Sequence, residues 1–150
     1  MNVARSLELK SAALSFEMTL PQIRDVSKAV PAELLAYGRL PLMVTENCLI
    51  KGRTGQCSCH LGSYKLMDKT GAEFPIIKDG DSCRSVLLNG KKLSLLDRAE
   101  DLSRLGLWAV RLYFTTENSR EVDQILNAYQ NPPKFDPVAY TRGLYLRGVE

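Results

Sequence analysis

Two hydrophobic periods alternate along this chain. Ala12-Ala13-Leu14-Ser15-Phe16 is a short apolar run that predicts a strand. Thr19-Leu20-Pro21-Gln22 then forms a capping box, with Thr19 as N-cap, Gln22 at N3 and Pro21 in the first turn, where a missing N–H is tolerated. Ile23, Val26 and Val30 continue at helical spacing until Pro31 ends the helix. Two strand-like runs follow, Glu33 to Tyr37 and Leu40 to Val44, broken by Gly38. The stretch from Cys48 to Gly62 is Gly-rich without periodicity and predicts a loop.

Tyr64 to Met67 and Glu73 to Ile77 flank the turn-forming Asp68-Lys69-Thr70-Gly71, which predicts a β-hairpin with Pro75 on an edge strand. Ser85 to Leu88 reads as a strand, and Ser94 with Asp97 starts a helix whose Leu95, Ala99, Leu102 and Leu105 face a core before Gly106 stops it. Trp108, Val110, Leu112 and Phe114 alternate with Ala109, Arg111 and Tyr113 at strand period. Asn118 caps a last helix with Glu121 at N3 and a stripe of Val122, Ile125, Leu126 and Tyr129, stopped by Asn131-Pro132-Pro133. The tail from Tyr140 to Glu150 reads as extended. Strands alternating with helices predict an α/β fold with a largely parallel sheet. An eight-fold barrel takes about 250 residues. Three or four βα units would therefore supply only a piece of one.

Hydrophobic residues make up 45% of the chain and charged residues 25%, average globular values that exclude disorder and collagen-like structure. A length of 150 residues predicts one domain. No apolar run approaches the roughly 18 residues of a membrane span, and the N-terminus has no apolar signal core, so a cytoplasmic, non-membrane protein is expected. The net charge of +3 is unevenly spread: residues 47–92 hold eight Lys or Arg against four Asp or Glu.

That basic stretch also holds all four cysteines, Cys48, Cys57, Cys59 and Cys83. Without a signal peptide, such clustering points to metal binding or redox chemistry rather than disulfides. Four soft thiolates complete either a tetrahedral zinc site or an iron–sulfur cubane, and free thiols with no shared ligand remain the bland reading. Zinc-ribbon C-x2-C pairs are absent, and His60 reads as a solvated loop residue more readily than as a ligand. Glu17, Glu33 and Glu46 fall near strand ends, where a barrel gathers catalytic groups; Glu17 and Glu33 are the candidate catalytic acids, with a helix N-terminal acid as the bland reading of Glu17. Neither HExxH nor GxSxG occurs, so protease chemistry has no evident nucleophile and base. Tyr140, Arg142, Tyr145 and Arg147 interleave aromatic and basic side chains, which could stack on and neutralise RNA, but they read more readily as a solvated C-terminal strand.

Glu33, Gly38, Leu40, Cys48 and Ile50 stand in the register of the signature of the peptidase U32 family, the collagenase-like proteins, which this chain resembles. Leu35, Arg39, Pro41, Glu46 and Lys51 depart from that signature, Pro41 replacing its first cysteine. The resemblance extends through Leu66-Met67-Asp68, Phe74-Pro75, Cys83 and the closing Thr141 to Val149 segment, as in the long, Firmicutes-type members. It implies a TIM-barrel-like catalytic domain, of which this chain would be the later part: a partial TIM-like barrel with an inserted β-hairpin next to the cysteine-rich loop, a fragment of a longer protein. The family name implies a peptidase. Several members instead hold a [4Fe-4S] cluster on four cysteines and act in oxygen-independent hydroxylation of tRNA or rRNA bases or of a ubiquinone precursor. By that resemblance Cys48, Cys57, Cys59 and Cys83 become cluster ligands, with zinc as the alternative metal. The implied partners are RNA, and a U32-family subunit or a missing N-terminal half-barrel. A non-catalytic module stapled by its metal is the competing reading.

Overall fold

The computed structural model describes residues 2–26, 28–56, 58, 62–80, 83–131 and 139–148. In chain order the elements are α1 (Asn2–Ser6), β1 (Ala12–Ala13), α2 (Leu20–Asp25), β2 (Ala32–Gly38), β3 (Pro41–Thr45), α3 (Leu49–Thr54), β4 (Tyr64–Met67), β5 (Glu73–Lys78), β6 (Ser85–Leu88), β7 (Lys92–Ser94), a 3-10 turn (Leu96–Arg98), α4 (Ala99–Ser103), β8 (Ala109–Tyr113), α5 (Ser119–Gln130) and β9 (Tyr140–Thr141). They form a mixed α/β protein with two sheets, neither closed into a barrel. The chain divides into two compact units, Met1–Gly38 with Leu93–Glu150, and Arg39–Lys92.

Strand β2 organises the first unit. Its Ala32, Leu34, Ala36, Tyr37 and Gly38 are buried, as suits a strand covered on both faces. β1 runs parallel to its first residues, with Ala12 opposite Ala32, and β7 runs antiparallel to its last, with Leu93 opposite Gly38. Along the other side β8 is parallel, from Glu33 opposite Ala109 to Gly38 opposite Tyr113, with one irregularity between Leu35 and Tyr37. An extra residue in one strand leaves backbone groups outside the ladder, and these must find partners elsewhere. The Ala36 carbonyl accepts from the Tyr129 hydroxyl of α5 at 2.7 Å and from the Leu95 N–H at 2.9 Å. The Leu35 carbonyl accepts from the buried Tyr145 hydroxyl at 2.8 Å.

Local signals are realised where their partners are near in sequence. The Thr19 box closes both ways, Thr19 N–H to Gln22 Oε1 at 2.8 Å and Gln22 N–H to Thr19 Oγ1 at 3.4 Å. The helix nonetheless ends at Asp25, because Val26 turns extended and the Lys28 ammonium takes the Ile23 carbonyl at 2.7 Å. Val30 lies beyond it and is still buried. The strand expected over Ala12 to Phe16 keeps only Ala12 and Ala13.

Other expectations are corrected. Ser94 pairs with Tyr37 in β7 instead of starting a helix, so the helical turn begins at Leu96 and Ala99 faces solvent. The strand over Trp108 to Phe114 is present as β8, with Trp108 and Val110 exposed, and β8 has no strand on its other edge among the described residues. The tail is not extended: after β9 it turns, and Tyr145 enters the core.

The second unit is a four-stranded antiparallel sheet in the order β3-β6-β5-β4. The expected hairpin is present, with Tyr64 opposite Ile76 and Met67 opposite Glu73, and the Asp68 carboxylate accepts from the Thr70 and Ala72 N–H groups in its turn. Pro75 does not mark an edge, since β5 lies between β4 and β6. The β6 ladder starts only at Ile76, so Pro75, which has no N–H, sits just outside it. Part of the expected cysteine loop is helix: α3 starts on Cys48 as N-cap and closes on Gly55 in the left-handed region.

Two glycines make opposite predictions. Gly38 has φ +132°, and a Cβ there would lie 2.2 Å from the Tyr113 carbonyl oxygen. Gly52 sits in α3, and a Cβ added there would meet nothing within 4 Å. In urea denaturation, Gly38→Ala should lose about 3 kcal/mol or more through collision and backbone strain. Gly52→Ala should gain about 0.5–1 kcal/mol from helix propensity. Equal effects would contradict this packing.

Candidate functional site

The cysteines sit in the second unit. Cys48 is half-buried, and its Sγ accepts the Lys51 N–H at 3.4 Å across the first turn of α3. The next residue, Leu49, donates its N–H to the buried Ser85 Oγ at 3.2 Å, at the β6 end where Thr45 pairs with Ser85. Cys83 is exposed two residues before Ser85. The segments that carry Cys48 and Cys83 are thus joined by one contact at one end of the sheet. Arg84, between Cys83 and Ser85, bridges Asp79 at 2.7 Å and Glu46 at 3.7 Å.

Cys57, Cys59 and His60 lie outside the described residues. Ser58, between the two cysteines, is fixed by the Tyr64 hydroxyl, 3.0 Å from its carbonyl and 2.9 Å from its Oγ. Among the described residues no three His, Cys, Asp or Glu side chains group closely enough to hold a metal ion.

The candidate acids lie in the first unit. Glu17 is exposed in the turn between β1 and α2, beside a hollow of about 650 Å³ shared with Ser15, Met18, Gln22 and Asp25. Glu33 is the second residue of β2, at the start of the parallel strands rather than at their carboxyl ends. Its Oε1 accepts from the Ser11 hydroxyl at 2.8 Å, and its Oε2 from Arg111 Nη2 at 2.5 Å and Nε at 3.2 Å. The Ser11 hydrogen bond, and after it Arg111, hold this carboxyl below its ordinary range.

A different group occupies the carboxyl ends of β2 and β8. The buried Tyr37 hydroxyl donates to Glu117 Oε1 at 3.2 Å, while Glu117 Oε2 accepts the Thr115 and Thr116 N–H groups at 2.8 and 3.0 Å. Phe114 and Tyr140 stack near Tyr37, with centroids 5.5 and 6.4 Å away. Burial, and then the Glu117 charge, push the Tyr37 phenol well above its usual value. The buried Thr115 hydroxyl has no hydrogen-bond partner among the described residues. Sequence reasoning missed this group; Tyr37 ending a strand and Glu117 preceding the Asn118 cap were the available signals.

The aromatic and basic tail does not present a stacking surface as a set. Tyr145 is buried, and Arg142 bridges Asp97 at 2.8 Å. Among the described residues no helix is long and apolar enough to cross a membrane.

A family model described as peptidase family U32 matches residues 1–134. No curated protein and no solved structure matches the chain.

The ion pair at Glu33 carries a pH signature. Its folded pKa is depressed, so its contribution is fully present above the unfolded value near ~4.3 and is lost as pH falls through the lower folded value. Glu33→Gln should therefore destabilise the protein at neutral pH, and its gap to wild type should close in acid. Urea denaturation of both proteins from neutral pH downward measures this; a gap that stays constant contradicts it.

Proposed function

The chain belongs to peptidase family U32, and from that premise we propose that it holds a [4Fe-4S] cluster on Cys48, Cys57, Cys59 and Cys83 and acts in oxygen-independent hydroxylation of RNA or a related substrate. The observation that carries this reading is the Leu49–Ser85 hydrogen bond, which ties the segment that follows Cys48 to the segment that follows Cys83. The donor set fits the group: four soft thiolates, one of which already accepts a backbone N–H, the kind of contact that tunes a cluster sulfur. When bound, such a cluster supplies electron transfer and, with an open position, a Lewis-acid site. The chain's own part is to hold the ligands: α3 orients Cys48, the Tyr64 hydroxyl holds Ser58 between Cys57 and Cys59, and Ser85 ties the Cys48 and Cys83 segments together. Zinc is the alternative metal for the same thiolates.

A second reading is favoured by the size of the core. Among the described residues of the second unit, only Leu40, Ile50, Ile76 and Leu88 are buried apolar side chains. Units with so little core draw stability from a metal or disulfides. The thiolates would then act as a staple, with no chemistry of their own.

The first unit supports a partial TIM-like barrel completed by further strands, from a longer chain or from a U32-family partner subunit. β1 and β8 both run parallel to β2, on its two sides. Trp108, Val110 and Tyr113 are 68%, 41% and 43% exposed along β8, and α5 buries no residue fully. A further parallel strand beside β8 would cover them.

Anaerobically purified protein should be brown, with broad visible absorption and roughly four irons per chain. Cys48→Ala and Cys83→Ala should each lose the colour, and His60→Ala should keep it. Cells relying on either cysteine variant should yield RNA lacking one oxygen's mass at the modified base. Colourless protein with one zinc would decide for the staple. Unchanged RNA from the cysteine variants would overturn the hydroxylation reading.

A further inference from the structure

Ser85 is a buried hydroxyl at a strand position where an apolar side chain would ordinarily stand. It is 2% exposed in β6, in a unit whose buried apolar side chains among the described residues are only Leu40, Ile50, Ile76 and Leu88. A valine there would suit the strand and add to that small core. Burying a hydroxyl is unfavourable unless it is hydrogen-bonded. Ser85 Oγ offsets this by accepting the Leu49 N–H at 3.2 Å, from 36 residues away in the chain.

That bond joins the two segments that carry Cys48 and Cys83. Leu49 directly follows Cys48, and Ser85 comes two residues after Cys83. The antiparallel ladder between β3 and β6 ends with Thr45 opposite Ser85, and beyond it Glu46 and Arg84 still face each other at 3.7 Å. The Thr45 hydroxyl lies 2.7 Å from the Asn47 carbonyl and 3.4 Å from the Ser85 carbonyl, so the bend into α3 is tied to the same residue of β6. The Leu49 N–H belongs to the first turn of α3, where amides have no partner within the helix. Cys48 caps that turn through its own Sγ, so any shift in the start of the helix carries the thiol with it.

We propose that Ser85 is a positioning residue for the thiolate site, its hydroxyl holding the Cys48 and Cys83 segments in one arrangement before a metal arrives. The proposal deepens the reading of these thiols as metal ligands and rests on it. Ligands far apart in sequence must be gathered, and chain entropy opposes the gathering. The Leu49–Ser85 bond and the ladder beside it have already brought these two segments together in the folded chain, so less ordering is left for the metal to impose. Groups that orient ligands in this way without touching the metal are worth about 10–100-fold in its affinity.

The probe is the metal carried by the anaerobically purified full chain, read as its rate of release to a chelator. Ser85→Ala should release it at least about tenfold faster than wild type. Leu49→Pro removes the donor from the other side and keeps the proposal testable if Ser85→Ala fails to fold. Cys48 already has the extended backbone that precedes a proline, φ −69° and ψ 108°, and proline suits a first helical position. Leu49→Pro should speed release by a similar factor, and the two changes together should add little to either alone, as befits one shared contact. Leu49→Ala, which keeps the N–H, should release metal at the wild-type rate. A purely structural contact would lower the urea midpoint of the metal-free variants and leave release unchanged. Unchanged release from both Ser85→Ala and Leu49→Pro, with metal on the wild type, would overturn this proposal alone. Equal acceleration by Leu49→Ala would overturn it too. Wild-type protein that carries no thiolate-bound metal would overturn both this proposal and the reading of the cysteines on which it rests.

Discussion

The first unit depends on keeping β2 paired along both sides while its faces are buried. A strand in that position has little access to water, so its N–H and C=O groups need partners from the protein. β1 and β7 share one side, β8 takes the other, and the irregularity at Ala36 leaves carbonyls that tyrosines reach from elsewhere in the chain. Tyr129 and Tyr145 are thus hydrogen-bond donors first and packing residues second, and burial raises both phenols, which keeps them in the donating form. Gly38 belongs to the same constraint. Only a residue without Cβ lets the end of β2 pass the Tyr113 carbonyl.

The second unit meets its own constraint differently. Its strands bury few side chains, and two of its edges are exposed. Polar links at one end of the sheet therefore carry more of the load than they would in a larger core: Ser85 to Leu49, Arg84 to Asp79, and the Cys48 cap on α3. Cys48 adjoins Leu49, and Cys83 lies two residues before Ser85, at that end.

What was legible in the sequence was local. The Thr19–Gln22 and Asn118–Glu121 boxes, and the turn at Asp68, have both partners within four residues, so their side-chain chemistry is visible without the fold. Ser94 failed for an instructive reason: Ser followed by Asp three residues later is a cap pattern, but pairing with Tyr37 claims Ser94 for a strand. The α3 helix was missed because a thiol is a weak cap and Lys51-Gly52-Arg53-Thr54 has no apolar stripe. At the site, cysteine clustering was visible by count. The Tyr37–Glu117 bond was not, since it joins residues 80 apart, and the Tyr145 bond to Leu35 joins residues 110 apart.

On the proposed reading the two units are stabilised by different means, the first by strand pairing around β2 and the second by a metal shared between its thiolates. Hydrogen–deuterium exchange on anaerobically isolated protein, before and after treatment with a chelator that would strip a thiolate-bound metal, tests this directly. Amides in 39–92 should lose protection when the metal leaves, while those of β2 keep theirs. Uniform loss across both units, or no change in 39–92, would contradict the account.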